Sequence, residues 1–192
     1  KEEFARRLAQ RYAVEVSAQP GQDTHASMDA AAHGRIDAAV LLGGNLWGSN
    51  PDSSWAASAM QRIGLTFSMT TQLNPGHFHG RGKTAVIVPV LARDEETQES
   101  TQESMFNFVR YSRGGQLPPN GELRSEVDVV ASLAERILPA GRFDWSELRS
   151  HASLRDAIAA TVPGYEPLVT RADNTPTTPR SARRGNRDGR EF

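Results

Sequence analysis

The stretch Asp37–Asp52, DAAVLLGGNLWGSNPD, decides the fold, because an apolar run passes without interruption into two glycines, an asparagine and a helix cap. Asp37 to Leu42 reads as a strand, and its unbroken apolar character predicts a central parallel strand covered on both faces. Gly43 and Gly44 free the backbone to turn sharply and to approach a ligand closely. A helix opening near Ser53 or Ser54 then presents free N–H groups and the positive end of its dipole to an anion at the strand tip. Strand, glycine turn and helix in that order outline a nucleotide-binding crossover. Gly43-Gly44-Asn45 is not, however, the G-x-G-x-x-G fingerprint of a nicotinamide or flavin site.

Upstream, Phe4, Leu8 and Tyr12 recur every four residues and predict a helix over 2–13. Asp23 or Thr24 caps a second helix that runs to His33, with Gly34 as its left-handed stop. Downstream, Ser53 to Ile63 forms the crossover helix, with Trp55, Ala59 and Met60 or Ile63 inward and Gly64 at its end. Leu65 to Thr70 is the second strand. LNPGHFHGRGKT follows as a surface loop, and Ala85 to Val90 reads as a third buried strand. Met105 to Ser112 suits an extended segment. Ser125 caps a helix with Val129, Leu133 and Ile137 along one side, and Asp144 and Ser153 begin two shorter helices. Strands alternating with helices define the fold class as α/β, a Rossmann-like parallel sheet with helices on both faces in three layers. Residues 1–167 are expected to form one such domain, followed by a basic, flexible tail over 168–192.

Composition narrows the function. The chain has 192 residues, 38% of them apolar, enough for one ordinary core. Lys and Arg number 22 against 23 for Asp and Glu, so no overall field draws the protein to nucleic acid or an anionic membrane. The tail from Arg171 to Phe192 is locally basic. No apolar run is long enough to span a bilayer, and the opening KEEFARRLAQRYA is too charged for a signal peptide. With no cysteine, the chain holds no iron-sulfur ligand or thiolate, which suits a cytoplasmic protein and a holder of cofactor better than a self-contained redox enzyme.

Ligands of parallel sheets sit beyond the carboxyl ends of the strands. Two loops fall there, Gly43 to Asp52 and Thr70 to His77, and they are expected to converge on one nucleotide. Thr70, Thr71 and Gln72 supply two hydroxyls and an amide that read a base or ribose without adding charge. Glu126, in the first turn of a helix, could accept two hydrogen bonds from a guanine edge. His77 and His79 form an HxH pair that on a strand would share one face, but no third metal ligand stands at a convincing spacing. No nucleophile elbow or HExxH is present, so no catalytic residue is assigned.

Four segments in this order, GRIDAAVLLGGNLWGSNPDS, LTFSMTTQLNPGHF, KTAVIVPVLARDE and LRSEVDVVASLAERI, resemble the molybdopterin oxidoreductase superfamily of the DMSO reductase type. The likeness is to its formate-dehydrogenase-like alpha subunits, with their GGN…PD loop, and it covers about Phe4 to Pro167. The resemblance implies an α/β domain that grips one of two molybdopterin guanine dinucleotides around molybdenum or tungsten. Gly43, Gly44, Asn45, Thr70, Thr71, Gln72, His77 and Glu126 would be the cofactor-binding residues. Relatives carry an acidic residue beside the Thr70 position that is missing here, which shifts the purine contact toward Glu126, with Gln72 and His77 in support. The iron-sulfur cysteines and the metal ligand would belong to other segments, and Gly189 to Phe192 resembles the lead into a C-terminal β-barrel. The expected partners are the remaining domains of the parent subunit, with formate or a similar small molecule as substrate of the intact enzyme. No nucleic acid and no membrane partner is expected, and the chain alone should not turn over substrate. The rival expectation is a non-enzymatic α/β module that binds a nucleotide or a protein.

Overall fold

The computed structural model describes residues 2–17, 19–103, 108–112, 121–139, 141, 143–168 and 182–183. Along the chain the elements are α1 (Glu2–Tyr12), α2 (Thr24–Ala32), β1 (Ala38–Leu42), α3 (Ser53–Met60), β2 (Leu65–Thr70), α4 (Gly76–His79), β3 (Thr84–Pro89), β4 (Ser100–Glu103), β5 (Phe108–Ser112), α5 (Glu126–Ile137), α6 (His151–Thr161) and β6 (Ala182–Arg183). They fall into two compact units. One comprises Gln19–Ala92 with Asn120–Glu126, the other Lys1–Ala18, Arg93–Pro119 and Val127–Phe192.

The first unit is built on a parallel sheet in the order β1-β2-β3. Asp23 starts α2 by accepting a hydrogen bond from the Ala26 N–H at 2.7 Å. Gly34, at φ +69°, ends it. Asp52 caps α3 in the same way through the Trp55 N–H at 2.8 Å. Met28 and Ala31 of α2 and Ala56, Ala59 and Met60 of α3 join Ile63 in one buried cluster, against which Ala39 and Leu41 of β1 pack. Each medium-sized apolar side chain buried in this way stabilises the fold by about 1.5–3 kcal/mol. Gly64 belongs to the turn into β2 and not to the helix end, because α3 stops at Gln61. A Cβ there would lie 2.8 Å from the Asp37 carbonyl oxygen, the same oxygen that accepts the Leu65 N–H at 3.0 Å.

The fold class is the expected α/β parallel sheet flanked by helices, but the strand roles differ. β1 lies at one end of the described sheet, with Val40 53% and Leu42 59% exposed. β3 is also largely exposed, Val86 and Ile87 included. The central position belongs to β2, in which Thr66, Ser68, Met69 and Thr70 are all buried. Its hydroxyls make that position tolerable: Thr66 Oγ1 accepts from the Gly82 N–H at 3.1 Å, and Thr70 Oγ1 donates to the Gln72 carbonyl at 2.6 Å. Beyond β3 the ladder continues through a parallel bridge between Val90 and Arg124, where the Leu91 N–H donates to the Arg124 carbonyl at 3.0 Å.

The second unit carries an antiparallel sheet, in which β5 pairs with β4 and with β6. Val109, Ala159 and Leu168 form its buried cluster with Tyr111, Ile158 and Tyr165 alongside. Ser150, not Ser153, caps α6: its hydroxyl accepts from the Ser153 N–H. Asp144 starts no α-helix. It accepts from the N–H groups of Ser146 and Glu147 ahead of a 3₁₀ turn at Glu147–Arg149. α5 turns Ala131, Ser132 and Ala134 inward, and Ile137 is 67% exposed, because the small residues allow closer packing than the larger ones expected there. Gln98 ties the loop before β4 to the start of α6, accepting from the His151 N–H at 2.9 Å and donating to the Arg149 carbonyl at 3.2 Å. Of the extended segment expected over 105–112, residues 108–112 form β5. Residues 105–107, and the tail apart from Leu168 and β6, lie outside the described residues.

Candidate functional site at the strand tips

At the carboxyl end of β1 the chain turns through two left-handed glycines, Gly43 at φ +60° and Gly44 at φ +76°. This is a conformation that disfavours any residue with a Cβ. The Gly43 N–H donates to the Met69 carbonyl at 2.7 Å, so the turn begins in ladder geometry with β2. Asn45 follows and uses its side-chain oxygen at once, accepting from the Gly48 N–H at 2.8 Å. That bond closes a tight turn at 45–48 and sends the chain toward the cap of α3.

The loop after β2 meets this turn directly. Asn74 Nδ2 donates to the Gly44 carbonyl at 3.0 Å, which joins two segments 30 residues apart in sequence. The other side-chain atom of Asn74, Oδ1, accepts from the Gly76 N–H at 2.9 Å. A Cβ on Gly76 would fall 2.2 Å from Asn45 Oδ1, so the two loops touch here and a side chain at this position would displace Asn45 from its turn. The two strand-tip loops therefore meet at the carboxyl edge of the sheet.

The eight residues singled out in the sequence do not all face the same task. Gly43, Gly44 and Asn45 form the first loop, and Asn45 is held in the turn by its own backbone contact. Thr70 is buried with its hydroxyl donated to Gln72, whereas Thr71 and Gln72 are exposed at the tip. His77 lies in the single turn α4 and not on a strand, and its Nδ1 accepts from the Asn74 N–H at 2.9 Å, which leaves Nε2 to carry the proton of the neutral ring. His79, two residues on in a helical turn, lies tilted against Trp47 with ring centroids 5.0 Å apart. The HxH pair thus shares no face. Glu126 is half-buried in the first turn of α5, two residues after Arg124. Arg124 occupies the next ladder position past β3, about two strand spacings, roughly 10 Å, from β2, and Glu126 follows it by two residues at the start of α5.

Sequence patterns do not single out Asn74 or Trp47. Asn-Pro-Gly reads as a bare turn signal, and an Asx turn that also reaches a second loop carries no further mark in sequence. Among the described residues no group of three or more His, Asp or Glu side chains is placed to hold a metal ion, and no helix is long and apolar enough to cross a membrane.

Parallel strands, a left-handed glycine turn and a capped helix at the carboxyl edge define a Rossmann-like α/β unit. The chain is similar to part of a protein named uncharacterized oxidoreductase in Mycobacterium tuberculosis, with 34% identity over 195 residues and 95% of the chain covered. A counterpart of the same name in Mycobacterium bovis matches to the same extent. Protein YdeP of Escherichia coli K12 is 31% identical over 170 residues, which is 85% of the chain. The chain spans 25% of the length of the mycobacterial proteins and 22% of YdeP. No protein-family profile matches the sequence.

Proposed function

We propose that the chain is the cofactor-gripping region of a larger oxidoreductase, and that the joined strand-tip loops hold part of a molybdopterin guanine dinucleotide in an enzyme resembling formate dehydrogenase. The observation that carries this reading is the Asn74 to Gly44 hydrogen bond, which makes one surface of two loops at the sheet edge where nucleotides bind in such folds. Similarity to far longer proteins named oxidoreductases supports the redox class and a role as one part of a longer polypeptide.

The donors and acceptors at the tip suit a neutral purine and a ribose. Thr71 and Gln72 are exposed and uncharged, the Nε2–H of His77 can donate to a hydroxyl, and Glu126 matches the donor pair of a guanine edge. Asn45 and Thr70 act one step back: each spends its side chain on the backbone of its own loop and so sets the position of the residues that touch ligand. When bound, the molybdenum group would supply two-electron exchange with the substrate. The chain's own residues hold, orient and shield one dinucleotide.

The test uses the longer natural polypeptide. Purified protein is expected to contain molybdenum and to release GMP on acid hydrolysis, and Glu126→Ala and Gln72→Ala should each lower GMP release several-fold without loss of the folded state. Unchanged GMP content in both variants would remove the strand-tip site. Guanine nucleotide without molybdenum would instead favour a nucleotide-binding module with no redox centre.

A further inference from the structure

A groove of about 510 Å³ runs along the flank of α3 in the first unit. Ser53, Ala57 and Gln61 line it at four-residue steps, so it follows one face of the helix for roughly 12 Å. The rest of its lining comes from Trp47, from Phe78 and His79 of α4 and from Arg81, Gly82 and Lys83 of the loop into β3.

The chemistry of this groove is one-sided. Arg81 and Lys83 bring two positive charges, and no carboxylate lines the groove. Neither cation takes part in an ion pair or side-chain hydrogen bond among the described residues. Two like charges facing a space without a counter-charge create a local positive potential in a protein whose net charge is only −1. The serine hydroxyl and the Gln61 amide add further donors. The aromatic lining is equally specific. Trp47 and His79 are tilted against each other, whereas Phe78 is 60% exposed and keeps a ring surface for an incoming planar group.

We propose that this groove binds a nucleoside monophosphate or diphosphate, with the phosphate on Arg81 and Lys83 and the base against Phe78. The groove borders the strand-tip surface, with which it shares the loop of Trp47 and the turn α4, but Gln72 and Glu126 do not line it, and the proposal stands whether or not the molybdopterin reading does.

The chain is titrated calorimetrically with AMP, GMP, adenosine and inorganic phosphate. AMP and GMP should bind more tightly than adenosine or phosphate alone. Arg81→Gln and Lys83→Gln should each weaken AMP about tenfold, and Arg81→Lys should keep most of the affinity. Phe78→Ala should bring AMP down to the level of inorganic phosphate and leave phosphate binding unchanged. Circular dichroism checks that the variants fold, which the exposure of all three side chains favours. Absence of binding by any phosphate compound at about 10 mM, or undiminished AMP affinity in Arg81→Gln with Lys83→Gln, would overturn the proposal. So would displacement by an oligoglutamate peptide as effective as AMP, since that would assign the groove to an acidic partner. Equal loss of AMP in Glu126→Ala would merge the two sites and overturn it as well.

Discussion

Asn74 holds three ends of the strand-tip geometry at once. Its Oδ1 accepts from Gly76, its Nδ2 donates to Gly44, and its own N–H donates to His77 Nδ1. Asn74→Asp keeps the acceptor and loses the donor, so the turn at Gly76 should persist while the link between the loops breaks. The expected cost is about 1 kcal/mol, read as faster amide exchange at 44–48 with little change elsewhere. Gly64 gives a second prediction. Because the obstacle at 2.8 Å is a backbone oxygen and not a mobile side chain, Gly64→Ala should destabilise the protein by about 1–3 kcal/mol, measured by urea denaturation. The sequence makes the turn-forming glycines plain, since left-handed backbone selects glycine. It hides Asn74, whose second role depends on which loop lies opposite, and it leaves open that Asn45 and Thr70 bond within their own loops.

Elements are legible to different depths. α2 and its cap at Asp23, the glycine turn and the span of β2 follow from local signals and stand where the sequence puts them. Strand order does not follow from them. The most apolar runs lie at the ends of the described sheet, and the hydroxyl-bearing LTFSMT takes the middle, because burial depends on neighbours that periodicity cannot name. Met60, buried in the cluster beneath β1, should cost about 2–4 kcal/mol as Met60→Ala, with loss of protection at the β1 and β2 amides. α1 offers a pH test. Hydrogen bonds from Arg6 and Arg7 hold the Glu3 carboxyl at about 2, below its ordinary 4.5. A carboxyl lowered in the folded state adds stability that is complete above its unfolded value and is lost as pH falls through the folded one. α1 should therefore keep its structure from neutral pH to about 4.5 and loosen as pH falls further toward 2, followed by the carbon chemical shift of the Glu3 carboxyl. A midpoint near 4.5 would show that the arginines do not hold it. Glu166, which takes the other side of Arg7 at 2.8 Å, is lowered by the same guanidinium and titrates in the same direction.

On the scale of the whole molecule, near-neutral charge combines with apolar side chains left in solvent. Leu42, Leu73, Phe78 and Ile137 are each exposed by about 60% or more, and the sequence pI is about 6.6. Solubility should pass through a minimum near that pH and rise on either side, in a precipitation series at low salt, because self-repulsion is then weakest. The charge balance is readable from composition alone. The two-unit arrangement is not readable in the same way: each unit is assembled from pieces far apart in the chain, and contacts of that kind leave no local pattern.

That interleaving also governs the order in which the protein takes shape on the ribosome. Arg7 leaves the exit tunnel 159 residues ahead of the Glu166 it pairs with, a delay of roughly 8–30 seconds at ordinary rates of translation. The parallel ladder likewise waits for Arg124 before its last rung can form. Helix α1 must therefore remain competent and unaggregated until Glu166 has emerged, and its dense Glu-Arg pairing suits a segment that spends that interval in water.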